Sequence, residues 1–100
     1  MDKLRSLTYF LAAAESGSFS AAARQLGVSA AAVAKLVGAL ELSVGAKLFE
    51  RHSHGLVLTA GGARYVESCR NAMTLLDEAD AQLGAAAPSA RGTVVVGTQL

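Results

Sequence analysis

Three helical patterns near the N-terminus are each followed at once by a glycine, and this restricts the fold more than any other feature of the chain. Apolar side chains recur every three or four residues ahead of Gly17, Gly27 and Gly45, which is the spacing of one helix face. Glycine ends a helix readily because it adopts the left-handed conformation at little steric cost. The predicted helices span residues 3–15, 19–26 and 30–43.

Polar residues suited to cap helices stand directly before these patterns, at Asp2, Ser18 and Ser29. The short turn that contains Gly27 joins the second and third helices and predicts a helix-turn-helix over about 18–43. Gly38 lies inside the third helix, where glycine costs about 1 kcal/mol relative to alanine, so close packing is expected there. The predicted inward-facing residues are Leu4, Leu7, Leu11 and Ala14, then Phe19, Ala22, Ala23 and Leu26, then Val33, Val37, Leu40 and Val44.

A small β-hairpin is predicted after the third helix. Segments 47–51 and 56–58 flank His52-Ser53-His54-Gly55, whose glycine suits the turn. Thr59 is a good N-cap for the next helix, although Gly61 and Gly62 weaken its first turn. A hairpin in this place is the wing of a winged helix-turn-helix.

The last helical pattern, over 60–87, has one narrow apolar stripe at heptad spacing. A helix with so narrow a stripe cannot bury it within a domain of residues 1–59. The pattern therefore predicts packing against a partner chain or the rest of a larger protein, most simply a second copy of the chain. Packing within the chain is the alternative. This heptad stripe consists of Tyr65, Cys69, Ala72, Leu76, Ala79, Leu83 and Ala86.

Composition excludes several classes of protein. At 52% hydrophobic and 17% charged residues, the chain is too apolar for a disordered tail, and no apolar run approaches the ~18 residues of a membrane span. The single cysteine allows no internal disulfide and suits a reducing cytoplasm. Serine, histidine and acidic residues are scattered and no phosphate-binding loop is present, so neither an enzyme nor a cofactor is expected. Two histidines without a third ligand predict no metal site.

Charge is distributed unevenly along the chain. The formal net charge is +1, but residues 1–59 hold six basic and four acidic groups, a net of +2. Residues 60–87 hold two basic and four acidic groups, a net of −2. This asymmetry is compatible with a basic end that meets phosphate.

Five motifs follow one another along the chain: Leu7-x-Tyr9-Phe10, Gly17-Ser18-Phe19-Ser20-x-Ala22-Ala23-x-x-Leu26-x-Val28-Ser29, Leu40-Glu41, Gly45-x-x-Leu48-Phe49-x-Arg51 and Leu58-Thr59-x-x-Gly62. In this order they resemble the LysR-type bacterial transcription regulators over residues 1–87. The resemblance implies a dimer, usually assembled into a tetramer, that binds operator DNA. It also implies a C-terminal domain that senses a small-molecule effector, and residues 88–100 are expected to form its hinge and first strand.

The same comparison locates the expected interfaces. The third helix of such a domain enters the major groove with its N-terminal residues first, and the wing reaches the flanking phosphates. The predicted DNA-binding residues are Ser29, Ala30, Ala31, Ala34, Lys35 and Leu36 in the third helix and Arg51, His52 and His54 in the hairpin. The predicted dimerisation residues are Tyr65, Cys69, Ala72, Leu76, Ala79 and Leu83.

The third helix departs from the family at its base-contacting positions. The family usually has glutamine, proline, serine or a basic residue at the positions where this chain has Ala30, Ala31, Ala34, Leu36 and Gly38. Alanine methyls can still contact thymine methyls, and Leu36 is interpreted either as a groove contact or as a core residue. Three hypotheses follow: sequence-specific operator binding, a dimeric interaction scaffold that no longer binds specific DNA, and non-specific DNA binding.

Overall fold

The computed structural model describes residues 2–53 and 55–86. Its elements confirm the predicted mainly α winged helix-turn-helix with a small hairpin and a long last helix. The predictions for His54 and for residues 88–100 lie outside the described residues. The elements are helices α1 (Lys3–Ser16), α2 (Phe19–Leu26) and α3 (Ala30–Val44), strands β1 (Phe49–His52) and β2 (Gly55–Leu58), and helix α4 (Ala60–Ala86).

All four predicted helix caps are present. The side chains of Asp2, Ser18, Ser29 and Thr59 each accept a hydrogen bond from a backbone N–H three residues later, at 2.9–3.1 Å. Such a cap stabilises a helix by about 1 kcal/mol. The three predicted glycine stops also hold, because Gly17, Gly27 and Gly45 all have φ between 73° and 79°.

Helices α2 and α3 form the helix-turn-helix, with their axes meeting at 109°, as this motif requires. Both pack against α1. In the described part of the chain no single helix is long and apolar enough to cross a membrane, although the bent α2–α3 pair meets that test by length and composition.

The core is centred on Phe10, which is fully buried. Its ring centroid lies 5.4 Å from that of Phe49 and 5.6 Å from that of Tyr65. The predicted inward face of α1 is therefore wrong at Leu4, which is 54% exposed. The helix is turned so that the large aromatic ring enters the core, since aromatic side chains bury more area than the leucine. The buried residues of α1 are Ser6, Leu7, Tyr9, Phe10, Ala12 and Ala13.

The inward face of α3 is confirmed for Val33, Val37 and Leu40, which are all buried. It is wrong for Val44, which is 36% exposed. The reason is that residues 42–47 are exposed throughout, so the core ends before the last turn of α3.

The wing is an antiparallel pair in which Phe49 lies opposite Leu58 and His52 opposite Gly55. Gly55, predicted in the turn, instead begins β2 with φ of 125°. Its position is fixed by the α1–α2 turn, because the Leu56 N–H donates to the Gly17 carbonyl at 3.0 Å. A Cβ on Gly55 would lie 2.7 Å from that carbonyl oxygen, so the wing is attached to the helical core there.

The chain divides into two compact units, the first ending at Cys69 and the second beginning at Arg70. The first turns of α4 therefore pack with the winged domain, where Val66 and Cys69 are 5% and 4% exposed. The domain boundary predicted between residues 59 and 60 stays a prediction.

Candidate nucleic-acid interface

The side of α3 opposite the core carries one line of residues separated by four, three and four positions, which places them on one side of a helix. We call Ala31, Lys35, Gly38 and Leu42 the outward line. Ala31 and Lys35 are exposed, Gly38 is half-buried and Leu42 is 86% exposed. The predicted recognition helix thus presents a continuous face to an outside ligand.

The other predicted residues of this helix lie at its start and edges. Ser29 is exposed, and its hydroxyl oxygen accepts the Ala32 N–H as a cap, so the hydroxyl proton is left to donate. Ala30 and Ala34 are half-buried. Leu36 is also half-buried and is turned about 100° from Lys35, at the edge of the helix and off the outward line.

Arg51 is held in place by an aromatic ring. Its guanidinium carbon lies 5.1 Å from the centroid of Phe19, the first residue of α2, and Phe19 meets Phe49 edge-on at 6.2 Å. A stacked guanidinium keeps its edge N–H groups available to donate to phosphate. Helical spacing predicts Phe19 as a core residue and gives no sign of this second contact.

His52 lies on the exposed end of β1. Its Nε2 atom is 3.6 Å from a carboxylate oxygen of Glu50, and both side chains are more than half exposed. This contact is an ion pair when the imidazole is protonated. In the described part of the chain no group of three or more His, Cys, Asp or Glu side chains could hold a metal ion.

Glu41 fixes the wing relative to α3. Its Oε2 atom accepts hydrogen bonds from the backbone N–H groups of Leu48 at 2.8 Å and Phe49 at 3.2 Å. Its Oε1 atom lies 3.9 Å from Nζ of Lys47. The carboxylate is 14% exposed, so these bonds matter for the path of the chain into β1. Glu41 belongs to the motif Leu40-Glu41, but the sequence gives no sign of this role.

Two open grooves border α3 on either side of Gly38. One, of about 420 Å³, runs towards the wing and is lined by Ala34, Gly38 and Arg51 among others. The other, of about 780 Å³, is lined by Lys35, Gly38 and Leu42 among others. The expectation that Gly38 packs against a neighbouring element is wrong, because a Cβ built there meets nothing within 4 Å.

The heptad stripe of α4 divides into two parts. Tyr65 contacts Phe10, and Cys69 is buried in the first compact unit. Burial raises the pKa of the Cys69 thiol, an effect that nearby Lys3 opposes. Cys69 therefore packs within its own chain, as Tyr65 does in part, and the predicted role of both residues in dimerisation stays a prediction. Leu76 and Leu83 are 48% and 72% exposed.

Comparison with known proteins agrees with this architecture. Residues 4–63 match the model of the bacterial regulatory helix-turn-helix proteins of the lysR family. The transcriptional regulator TfdT of Cupriavidus pinatubonensis is 37% identical over 90 residues, which are 90% of this chain and 40% of TfdT. The chain thus spans less than half of that relative.

Solved structures extend the likeness to the fold. A complex of the CbnR DNA-binding domain with DNA is 37% identical, with a TM-score of 0.80 over 86% of this chain and 98% of that one. Full-length CbnR with its target DNA is 36% identical, with a TM-score of 0.77 over 85% of this chain and 29% of that one.

The fold, with its paired helices, wing and exposed third-helix face, defines a winged helix-turn-helix domain. Together with the family match over residues 4–63, this establishes that the chain belongs to the LysR family of bacterial regulatory helix-turn-helix proteins.

Proposed function

We propose that the chain binds operator DNA as a sequence-specific transcription regulator, with α3 in the major groove and the wing on the flanking phosphates. One observation supports this most strongly. Ala34 of α3 and Arg51 of the wing line the same groove, so the two elements present one concave surface. The likeness to a protein–DNA complex over 86% of the chain agrees with this use.

The chemistry of that surface suggests how the DNA is recognised. The methyl groups of Ala30, Ala31 and Ala34 can contact thymine methyls in the major groove. Lys35 and Arg51 supply sequence-independent attraction to phosphates, as do His52 when protonated and the Ser29 hydroxyl proton. Discrimination then depends partly on DNA shape and on half-site spacing.

The proposal includes the assembly. Two copies pair through the exposed part of the α4 heptad stripe, which comprises Ala72, Leu76, Ala79 and Leu83, and such dimers form tetramers in a full-length regulator. A small-molecule effector acts through a C-terminal domain. We place the protein in the cytoplasm and assign it no enzymatic activity.

Competitive binding separates this function from the two other hypotheses. Duplexes are selected from a random pool, and the Kd of the selected duplex is compared with that of random DNA over a series of salt concentrations. Specific operator binding predicts a ratio of at least about 10³ and a loosely defined, A·T-rich palindrome. A ratio near one with measurable affinity would indicate non-specific binding, and no binding to either duplex would indicate a scaffold.

Polar side chains introduced at the start of α3 should make the selected DNA sequence more sharply defined. The double variant Ala30→Gln with Ala34→Ser is expected to gain about 1–3 kcal/mol of discrimination at one or two positions per half-site, since amide and hydroxyl groups bond to base edges. The readout is a repeat of the selection. Ala81→Gln, exposed on α4, is the control and should leave the site unchanged. A sharply defined G·C-rich site for the unmutated chain would contradict the thymine-methyl proposal.

Arg51 should contribute affinity without specificity. Arg51→Ala is expected to weaken binding to all duplexes about equally and to flatten the slope of log Kd against log salt by about 0.9, since one phosphate contact is lost. Arg51→Lys retains the charge but loses the guanidinium that lies over the Phe19 ring, so it should keep the slope. If Arg51→Ala leaves the slope unchanged, Arg51 does not touch the DNA.

A further inference from the structure

The folded chain shows no structural reason for a glycine at position 38. It lies inside the 15-residue helix α3, where glycine is among the least favourable residues. Its φ is not in the left-handed range, and a Cβ there meets nothing within 4 Å. Neither backbone conformation nor internal packing therefore requires glycine at this position.

The surroundings of Gly38 suit an elongated anion. It lies on the outward line between Lys35, one turn before it, and Leu42, one turn after it, and both grooves of α3 meet at it. Lys47, whose side chain is 81% exposed, lines both grooves. The nearby carboxylate of Glu41 is already bonded to two backbone N–H groups and to Lys47.

We propose that Gly38 is the place where one DNA strand approaches α3 most closely, so that its sugar–phosphate backbone crosses the helix there. The inference rests on the proposed DNA-binding function. Leu42, at 86% exposure, packs against the apolar face of a deoxyribose, and Lys35 and Lys47 attract the adjoining phosphates. Exposed lysines on an apolar groove favour this polyanion over an apolar protein partner.

Gly38→Ala tests the inference because stability and affinity should change in opposite directions. The variant should melt at a higher temperature, since alanine is the better helix former and the added methyl meets no neighbour. It should bind DNA about fivefold more weakly, since the methyl holds the strand away from the helix. A backbone contact carries no sequence information, so the loss should be equal for the selected and the random duplex.

Two more variants complete the experiment. Gly84→Ala is the matched control, because Gly84 is also helical and open; it should not alter affinity. Leu42→Ala should weaken binding to both duplexes about threefold without lowering Tm, since the leucine is exposed.

The results that would overturn the inference are distinct from a failure of the proposed function. Unchanged or tighter binding by Gly38→Ala, a loss confined to the selected duplex, or a lower Tm would each overturn it, and unchanged binding by Leu42→Ala would remove the deoxyribose contact. If the unmutated chain binds no duplex at all, the proposed function itself fails.

Discussion

Leu76→Asp is expected to be monomeric at micromolar concentrations, where the unmutated chain is expected to be dimeric. Leu76 is 48% exposed in the single chain and lies at the middle of the heptad stripe, so a second α4 would cover it. A buried, unpaired carboxylate costs several kcal/mol. In a two-fold symmetric dimer both copies carry the change, so dimerisation should weaken at least about a thousandfold.

Sedimentation equilibrium measures the effect directly. Thr74→Asp is the matched control, because it adds the same charge to an exposed position of α4 on the side away from the stripe. It should leave the dimer intact. A stable monomer for the unmutated chain would show that the stripe is not a dimer interface.

The heptad pattern predicted the length of α4 almost completely, but it could not identify what covers each residue. Periodicity shows which side of a helix is buried, but it does not identify the element or chain that covers that side. Cys69 has the spacing of the stripe, yet it is buried in the compact unit of its own chain. Only the tertiary structure separates the part of the stripe that packs internally from the part that stays exposed in the single chain.

Helix ends were the most predictable part of the fold. The caps at Ser18 and Ser29 and the stop at Gly27 depend on contacts between residues a few positions apart, so the sequence contains the whole signal. The rotation of α1 depends on distant partners. The place of Phe10 is set by Phe49 and Tyr65, both far along the chain, and local spacing could not favour it over Leu4.

The candidate site divides in the same way, into features set by local sequence and contacts set by packing between distant elements. The sequence placed α3 and the wing correctly, with Arg51 in the wing, because turns and helical spacing define these elements; the DNA-binding role of Arg51 stays a prediction. The sequence missed the support of Arg51 by Phe19 and the bonds of Glu41 to Leu48 and Phe49. These contacts join α2 to β1 and α3 to β1, and they can be seen only once the elements have packed.

Alanine substitutions at the adjacent glycines Gly61 and Gly62, at the start of α4, should change the stability of the protein in opposite directions. A Cβ on Gly62 would lie 2.1 Å from the carbonyl oxygen of Leu48 and 3.0 Å from its carbon. Backbone atoms cannot move aside as a flexible side chain can, so Gly62→Ala should lose about 3 kcal/mol or more of stability. A Cβ on Gly61 approaches nothing closer than the Thr59 hydroxyl, at 3.9 Å. Gly61→Ala should therefore gain about 0.5 kcal/mol.

Urea unfolding measures the change in stability of each variant. Gly61→Ala serves as the control for adding a methyl group to this turn. Leu48 donates its N–H to Glu41, so moving its backbone also disturbs the contact that fixes the wing beside α3. Gly62→Ala should consequently lose DNA affinity along with stability, whereas Gly61→Ala should keep its DNA affinity and gain stability. A Gly62→Ala variant as stable as the unmutated chain would show that α4 does not approach Leu48 this closely. The requirement for glycine would then lie elsewhere in the turn.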